Sequence, residues 1–154
     1  MGLDMYLSKR TYVKNWEFQK QEHRHEVIVN RGGKPREDID NSRISEVIEQ
    51  VMYWRKANAI HRWFVENVQD GVDDCREYWV SEDQIQELID LCSKVIETKD
   101  TTLLAPKSGF FFGSQEIDDW YFINLGDTVK KLTQELENFR DTKSSGEFYY
   151  QASW

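Results

Sequence analysis

Residues 44–68 read ISEVIEQVMYWRKANAIHRWFVENV, and their apolar side chains recur at a spacing that covers more than one face of a helix. Asn41 or Ser42 is a candidate N-cap before this stretch, and Gly71 is a candidate terminator after it. The spacing therefore predicts one helix across the whole stretch, the longest and most buried of the chain.

Shorter stretches on either side predict β-strands. Residues 3–7 and 148–154 alternate apolar and more polar side chains with a period of two, which predicts the first and the last strand. The β-branched run at 27–29 ends in a turn with two glycines and a proline at 30–35, and it predicts a second strand that pairs with the first. Residues 76–80 predict a further short strand.

Two more helices have clear start signals. Ser81 is followed three residues later by Gln84, the spacing of a capping box, and residues 85–96 carry a regular apolar stripe. The acidic pair at 118–119 favours a helix start, and the apolar spacing over 121–139 continues from it. These signals predict a second and a third helix.

The resulting order, β-β-α-β-α-α-β, favours an α+β fold, in which a small, mainly antiparallel sheet packs against about three helices. The chain has 154 residues, of which 14% are aromatic. That length and content predict a single globular domain over residues 1–154, because many large rings can repay the entropy of ordering a core.

Several classes of protein are disfavoured by composition. No run approaches the roughly 18 uninterrupted apolar residues that cross a bilayer, and the chain start lacks the regions of a secretion signal, so no membrane partner is expected. Cys75 and Cys92 are too few for a disulfide framework or a zinc module. They favour a reducing cytoplasm as the location.

The two parts of the chain carry opposite charge. Residues 1–62 have 12 basic and 9 acidic side chains, a balance of +3, and residues 63–154 have 8 basic and 19 acidic ones, a balance of −11. A total of −8 disfavours binding to duplex nucleic acid. Basic groups of the first part, Lys56 among them, are the natural partners of an anion, and the acidic part could contact a basic protein.

The main candidate site is a polar pair within the apolar helix pattern. On a helical period, Trp54, Asn58 and His61 share one side, where an unpaired polar group would cost about 1–3 kcal/mol. One interpretation is that Asn58 and His61 are satisfied internally. The other is that they line a pocket in which Trp54 stacks on a ligand and Arg55 or Arg62 meets its phosphate or carboxylate.

A second candidate is the aromatic run Phe110–Phe112 between Gly109 and Gly113. Three consecutive rings cannot all face inward from an extended loop, so at least one, such as Phe111, is expected to face a ligand or partner. The alternative is a buried plug that completes the core.

Catalytic and metal signatures are weaker. His23 and His25 alternate as metal ligands on a strand do, but a third ligand is not apparent, so no metal is predicted. No phosphate loop, nucleophile elbow or cofactor signature occurs, and no cofactor is predicted. Catalytic residues are therefore left unassigned, with His61 as a general base the one enzymatic hypothesis.

Four segments resemble a family of small uncharacterised proteins of bacteriophages and prophages. They are the start at 1–7, the helix motif at 53–65, the loop at 109–114 and the end at 148–154. The resemblance implies no activity and no site residues. It implies a setting in the cytoplasm of a bacterial host, and action on host physiology or defence.

Three functional hypotheses follow. The first is a non-enzymatic domain that binds a small, anionic, nucleotide-like molecule through Trp54, Asn58 and His61, with Arg55 or Arg62. The second is an antagonist that binds a host protein through the acidic part and the aromatic loop. The third is a small hydrolase or transferase that uses His61. A homodimer is also an open alternative, through pairing of the last strand if that strand lies at a sheet edge.

Overall fold

The computed structural model describes residues 2–107 and 115–154, which form nine regular elements. In chain order they are β1 (Asp4–Tyr12), β2 (Asn30–Arg31), β3 (Lys34–Pro35), β4 (Glu46–Arg55), α1 (Asn58–Asn67), β5 (Tyr78–Val80), α2 (Glu82–Thr98), α3 (Asp119–Asp141) and β6 (Glu147–Ser153). Short 3₁₀ turns at Gln21–His23, Asn41–Arg43 and Thr101–Leu104 lie between them.

The main sheet has four strands in the order β4-β1-β6-β5, and every neighbouring pair is antiparallel. The first and the last strand of the chain are thus its two central strands. β2 and β3 form a separate two-stranded hairpin. This architecture, with three helices and a mainly antiparallel sheet, confirms the predicted α+β fold.

The alternating pattern at the two chain ends produces the inner face of the sheet. In β1, Met5 and Leu7 are fully buried, and in β6 the same is true of Tyr150. Met5 lies opposite Ala152 of β6 on one side and Trp54 of β4 on the other. These side chains pack in one core with residues of all three helices, so both terminal strands are held by burial as well as by backbone pairing.

The prediction of one helix across 44–68 is wrong in its first half. Residues 46–55 form β4, which pairs along the length of β1 with a single register shift between Leu7 and Ser8. Met52 and Trp54 point into the core while Tyr53 faces solvent, the alternation expected of a strand. β-branched and aromatic residues suit a strand as well as a helix, and pairing with β1 decides between the two.

The predicted second strand at 27–29 is also wrong. Those residues form no strand, and the chain continues into the small hairpin of β2 and β3, whose turn holds Gly32 and Gly33 at positive φ. The strand that pairs with β1 in second place is β4. The last strand, β6, lies at the centre of the sheet, so it cannot pair across a two-fold axis as a free edge would.

The second and third helices begin where the sequence predicts. In α2, the Ser81 side chain accepts from the Gln84 amide and the Gln84 side chain accepts from the Ser81 amide, a complete capping box. In α3, the Asp118 carboxylate accepts from the Tyr121 amide at 3.1 Å. Among the described helices, none is long and apolar enough to span a membrane.

Replacing Ser81 by alanine is expected to lower the free energy of unfolding by about 1 kcal/mol, because the amide of Gln84 loses its acceptor. Urea unfolding followed by circular dichroism measures the change. Ser81→Asp keeps an N-cap acceptor and is expected to stay close to the parent protein. An equal loss of stability in both variants would contradict the capping role of Ser81.

Candidate functional site

The turn from β4 into α1 is made by Lys56. Its backbone φ is +54°, in the left-handed region, and its amide donates to the Leu3 carbonyl at 2.7 Å. That bond fastens the turn to the chain segment that enters β1. Any residue other than glycine loses about 1–3 kcal/mol of stability in this backbone region, so Lys56 occupies a strained position.

The first turn of α1 begins without a cap from its own N-cap side chain. The N-cap residue is Ala57, whose side chain has no oxygen and makes no capping hydrogen bond. The first amides of a helix lack partners within the helix and carry part of the positive end of the helix dipole. The α1 start therefore favours a negative group beside it.

A cavity of about 310 Å³ lies between the start of α1 and the start of α3. This volume is at the lower end of the range of small-molecule sites. The described residues that line it come from the β4–α1 turn, the first turn of α1, the segment before α3 and the first turns of α3: Lys56, Ala57, Asn58, Ala59, Ile60, Pro106, Glu116, Asp118, Trp120, Tyr121, Asn124 and Leu125.

The wall formed by α3 combines a ring with polar groups. Trp120 is 57% exposed, and Asn124 lies one helical turn further along the same face. Tyr121 donates its hydroxyl to the Leu104 carbonyl at 2.7 Å, which ties this wall to the segment before the cavity. Burial raises the pKa of Tyr121 to about 12, so it is a neutral hydrogen-bond donor.

Of the predicted site residues, Asn58 lies on the cavity wall. It is the first residue of α1 and is only 3% exposed. Trp54 lies in the core, where its indole Nε1 donates to the Thr128 hydroxyl at 2.8 Å and its ring meets Phe64 edge-on. Within the described chain, Trp54 is a support beneath the site and is not part of its lining.

His61 is fully buried in a row of polar groups. Its Nδ1 is 2.7 Å from the Tyr150 hydroxyl and its Nε2 is 2.9 Å from Asp73, whose other carboxylate oxygen is 3.2 Å from the Lys107 ammonium. A carboxylate only accepts, so Nε2 carries the proton and Nδ1 accepts from Tyr150. Burial lowers the pKa of His61 and outweighs the opposing effect of Asp73.

The two predicted arginines lie apart from the cavity. Arg55 is exposed at the end of β4, 3.9 Å from Asp4. Arg62 donates to Glu66 at 2.8 Å and lines a smaller cavity of about 190 Å³ on another side of α1. The structure therefore does not bring Arg55, Asn58 and Arg62 together. Phe111 and the rest of the aromatic run lie outside the described residues.

The sequence patterns do not reveal most of the cavity wall. Lys56 belongs to the basic set, but a continuous helix would give it an ordinary backbone conformation and nothing would distinguish it from its neighbours. Glu116, Trp120 and Asn124 lie far along the chain from α1. One signal is present, since Trp120 falls outside the apolar spacing that defines the buried face of α3.

Metal ligation finds no support in the described residues, which contain no group of three or more histidine, cysteine, aspartate or glutamate side chains that could hold an ion. No family model, curated protein or solved structure matches the chain. A function for this chain is therefore inferred from the geometry of the cavity.

The buried state of His61 predicts a pH dependence of stability. Below its ordinary pKa of about 6.5, the unfolded histidine binds a proton that the folded one resists, so stability should fall as the pH drops through this range and be fully present above it. Urea unfolding between about pH 5 and about pH 8 measures this slope. His61→Asn should flatten it, whereas His23→Asn, at an exposed position, should not.

Proposed function

We propose that the protein is a non-enzymatic binding domain for a small, anionic, nucleotide-like molecule. The observation that carries this proposal is the cavity of about 310 Å³ that is lined by Lys56, by the first residues of α1 and by Trp120. A cation and helix amides suit a phosphate, and an exposed indole suits a planar base.

The strain at Lys56 supports this assignment. Left-handed positions favour glycine, yet a lysine occupies this one, at the point where the chain enters α1. Asp70, Lys99 and Lys143 share this backbone region, and of the four only Lys56 lines the cavity in the described structure, where the turn fixes the direction of its side chain. In this proposal the Lys56 ammonium meets the anionic group of the ligand.

Two amide side chains add hydrogen-bonding groups to the cavity wall. Asn58 from α1 and Asn124 from α3 both line the cavity. An amide both donates and accepts, so the pair can hydrogen-bond to base edges or to ribose hydroxyls. Trp54 supports the site indirectly, since its bond to Thr128 links β4 to α3 beneath the cavity.

Binding is favoured over turnover because the one candidate general base is enclosed. Both ring nitrogens of His61 already lie within hydrogen-bond distance of Tyr150 and Asp73, and the imidazole has no exposed surface. A general base must reach the proton that it removes. In the setting implied by the resemblance to bacteriophage proteins, such a domain would sequester a small signal molecule of the host.

The test is a thermal-shift series with adenosine monophosphate, guanosine monophosphate, cyclic AMP and NAD. A nucleotide at one hundred times its dissociation constant should raise the free energy of unfolding of the parent protein by about 2.7 kcal/mol. Lys56→Gly should keep or raise the melting temperature without nucleotide, because it relieves the left-handed strain, and should lose most of the nucleotide-induced shift. Trp120→Ala should also lose that shift.

Two control variants match the two site variants in residue type. Arg55→Gln removes the neighbouring cation, which does not line the cavity in the described structure, and Trp79→Ala removes an indole of similar exposure, 55%, on β5. Both should retain the shift. If no nucleotide stabilises the parent protein, or if the controls lose the shift as fully as the site variants, the proposal is wrong.

A second candidate function, capture of a host protein, is favoured by rings on the sheet face that points away from the core. Tyr53 and Trp79 are exposed there, and Tyr6 packs against Tyr53 at 5.4 Å. Exposed aromatic residues are typical of the centres of protein interfaces. If Trp79→Ala abolishes binding to an isolated host protein while Lys56→Gly does not, this second function is the correct one.

A further inference from the structure

A loop that follows β1 presents two aromatic rings to solvent. This ring loop spans residues 14–25 and begins two residues after the end of β1 at Tyr12. Phe18 is 85% exposed and Trp16 is 47% exposed, and their rings stack with centroids 6.4 Å apart and an angle of 11° between their planes. Apolar residues that are exposed singly are ordinary surface, whereas an exposed cluster indicates an interaction surface.

The ring loop is held in one conformation by its own polar side chains. The Arg24 guanidinium donates to three backbone carbonyls of residues 16–19, at 3.1, 3.2 and 3.3 Å. The Asn15 side chain accepts from the His25 amide and donates to the His25 carbonyl, each at 2.7 Å. Because these bonds fix the loop before any partner arrives, the two rings lose little conformational entropy on binding.

A cavity of about 260 Å³ lies at the same end of the main sheet. Its lining includes Val80 of β5, the turn before β6 and the first residues of β6. Glu147 in that lining is paired with Arg10 of β1, two residues before Tyr12, so the cavity and the ring loop are at one sheet end. An apolar cavity of about 150 Å³ holds a benzene molecule, so this volume can accept an aromatic ring.

The ring loop and this cavity carry opposite charge. The loop has three cations and two carboxylates, a balance of +3 − 2 = +1. Among the described residues that line the cavity, Glu82 and Glu147 are carboxylates and none is a cation. Glu82 pairs with Arg140 at 2.5 Å, whereas Glu147 is exposed and, in the described chain, its only bonded neighbour is the Tyr149 hydroxyl at 3.2 Å. An exposed cation of the loop, Lys20, therefore complements Glu147.

We propose that two copies of the chain form a closed dimer in which the ring loop of each copy enters the cavity beside β6 of the other copy. A projection and a recess at one end of the same sheet can meet reciprocally across a two-fold axis, so that both contacts form together. Phe18 fills the cavity and Lys20 meets Glu147 across the interface. The nucleotide cavity takes no part in this contact, so the dimer and the proposed function can be tested separately.

Sedimentation velocity of the full chain, from about 1 μM to about 100 μM, tests the dimer. The mass should rise with concentration from that of one chain, 18.4 kDa, to twice that value. Phe18→Ala should raise the dissociation constant of the dimer at least roughly thirtyfold, the effect typical of a central aromatic residue in an interface. Ile28→Ala is the control, because it removes a side chain that is 58% exposed on the same connection between β1 and β4, and it should leave the dimer unchanged.

A mixing experiment separates the proposed contact from a general loss of structure. Ser145→Trp places a large side chain on the cavity lining, so this variant keeps its ring loop and loses its recess. Phe18→Ala keeps its recess and loses its ring. Each variant alone should dimerise weakly, whereas a mixture of the two restores one of the two contacts and should form mixed dimers more tightly than either variant pairs with itself. Melting temperatures verify that both variants fold.

Three results would overturn the dimer. The first is a parent protein that keeps the mass of one chain at the highest concentration, which would leave the rings to a protein of another sequence. The second is an equal effect of Phe18→Ala and Ile28→Ala, or a mixture that pairs no more tightly than its components. The third is a mass that grows beyond two chains, because a contact that is not reciprocal builds open assemblies.

Discussion

The pairing of β1 with a neighbour on each side is the constraint on which the rest of the structure depends. β1 bonds to β4 along one edge and to β6 along the other, so the two ends of the chain meet in the middle of the sheet. Their inward side chains form the base on which the helices pack. The same arrangement places the Leu3 carbonyl beside the amide of Lys56 and so determines where α1 begins.

The core built on that sheet contains polar groups that lie within hydrogen-bond distance of one another. His61 of α1 lies between Tyr150 of β6 and Asp73, and Asp73 in turn meets Lys107. An unpaired group at this depth would cost about 1–3 kcal/mol. The row therefore links a helix, a central strand and two connecting segments through directional bonds, while burial lowers the pKa of the imidazole.

The cavity lies at the margin of this core, between the start of α1 and the start of α3. Its α3 wall is held in place, because Tyr121 donates to the Leu104 carbonyl. Its rim is exposed, with Lys56 in a strained backbone conformation and Trp120 facing solvent. A wall residue that is already hydrogen-bonded lowers the entropic cost of binding, since fewer groups must be ordered when a ligand enters.

The sequence by itself determined the terminal strands and the second and third helices, because a period of two and a side-chain cap such as Ser81 act within a few residues of the chain. It also singled out Asn58, a polar residue within an apolar pattern. Only the tertiary structure decided that residues 46–55 form a strand and that Lys56 and Trp120 line one cavity. Apolar spacing over 44–68 is compatible with both secondary structures, and the choice depends on backbone pairing with β1, just as the cavity wall depends on α3. Both are contacts between distant parts of the chain, which no local pattern encodes.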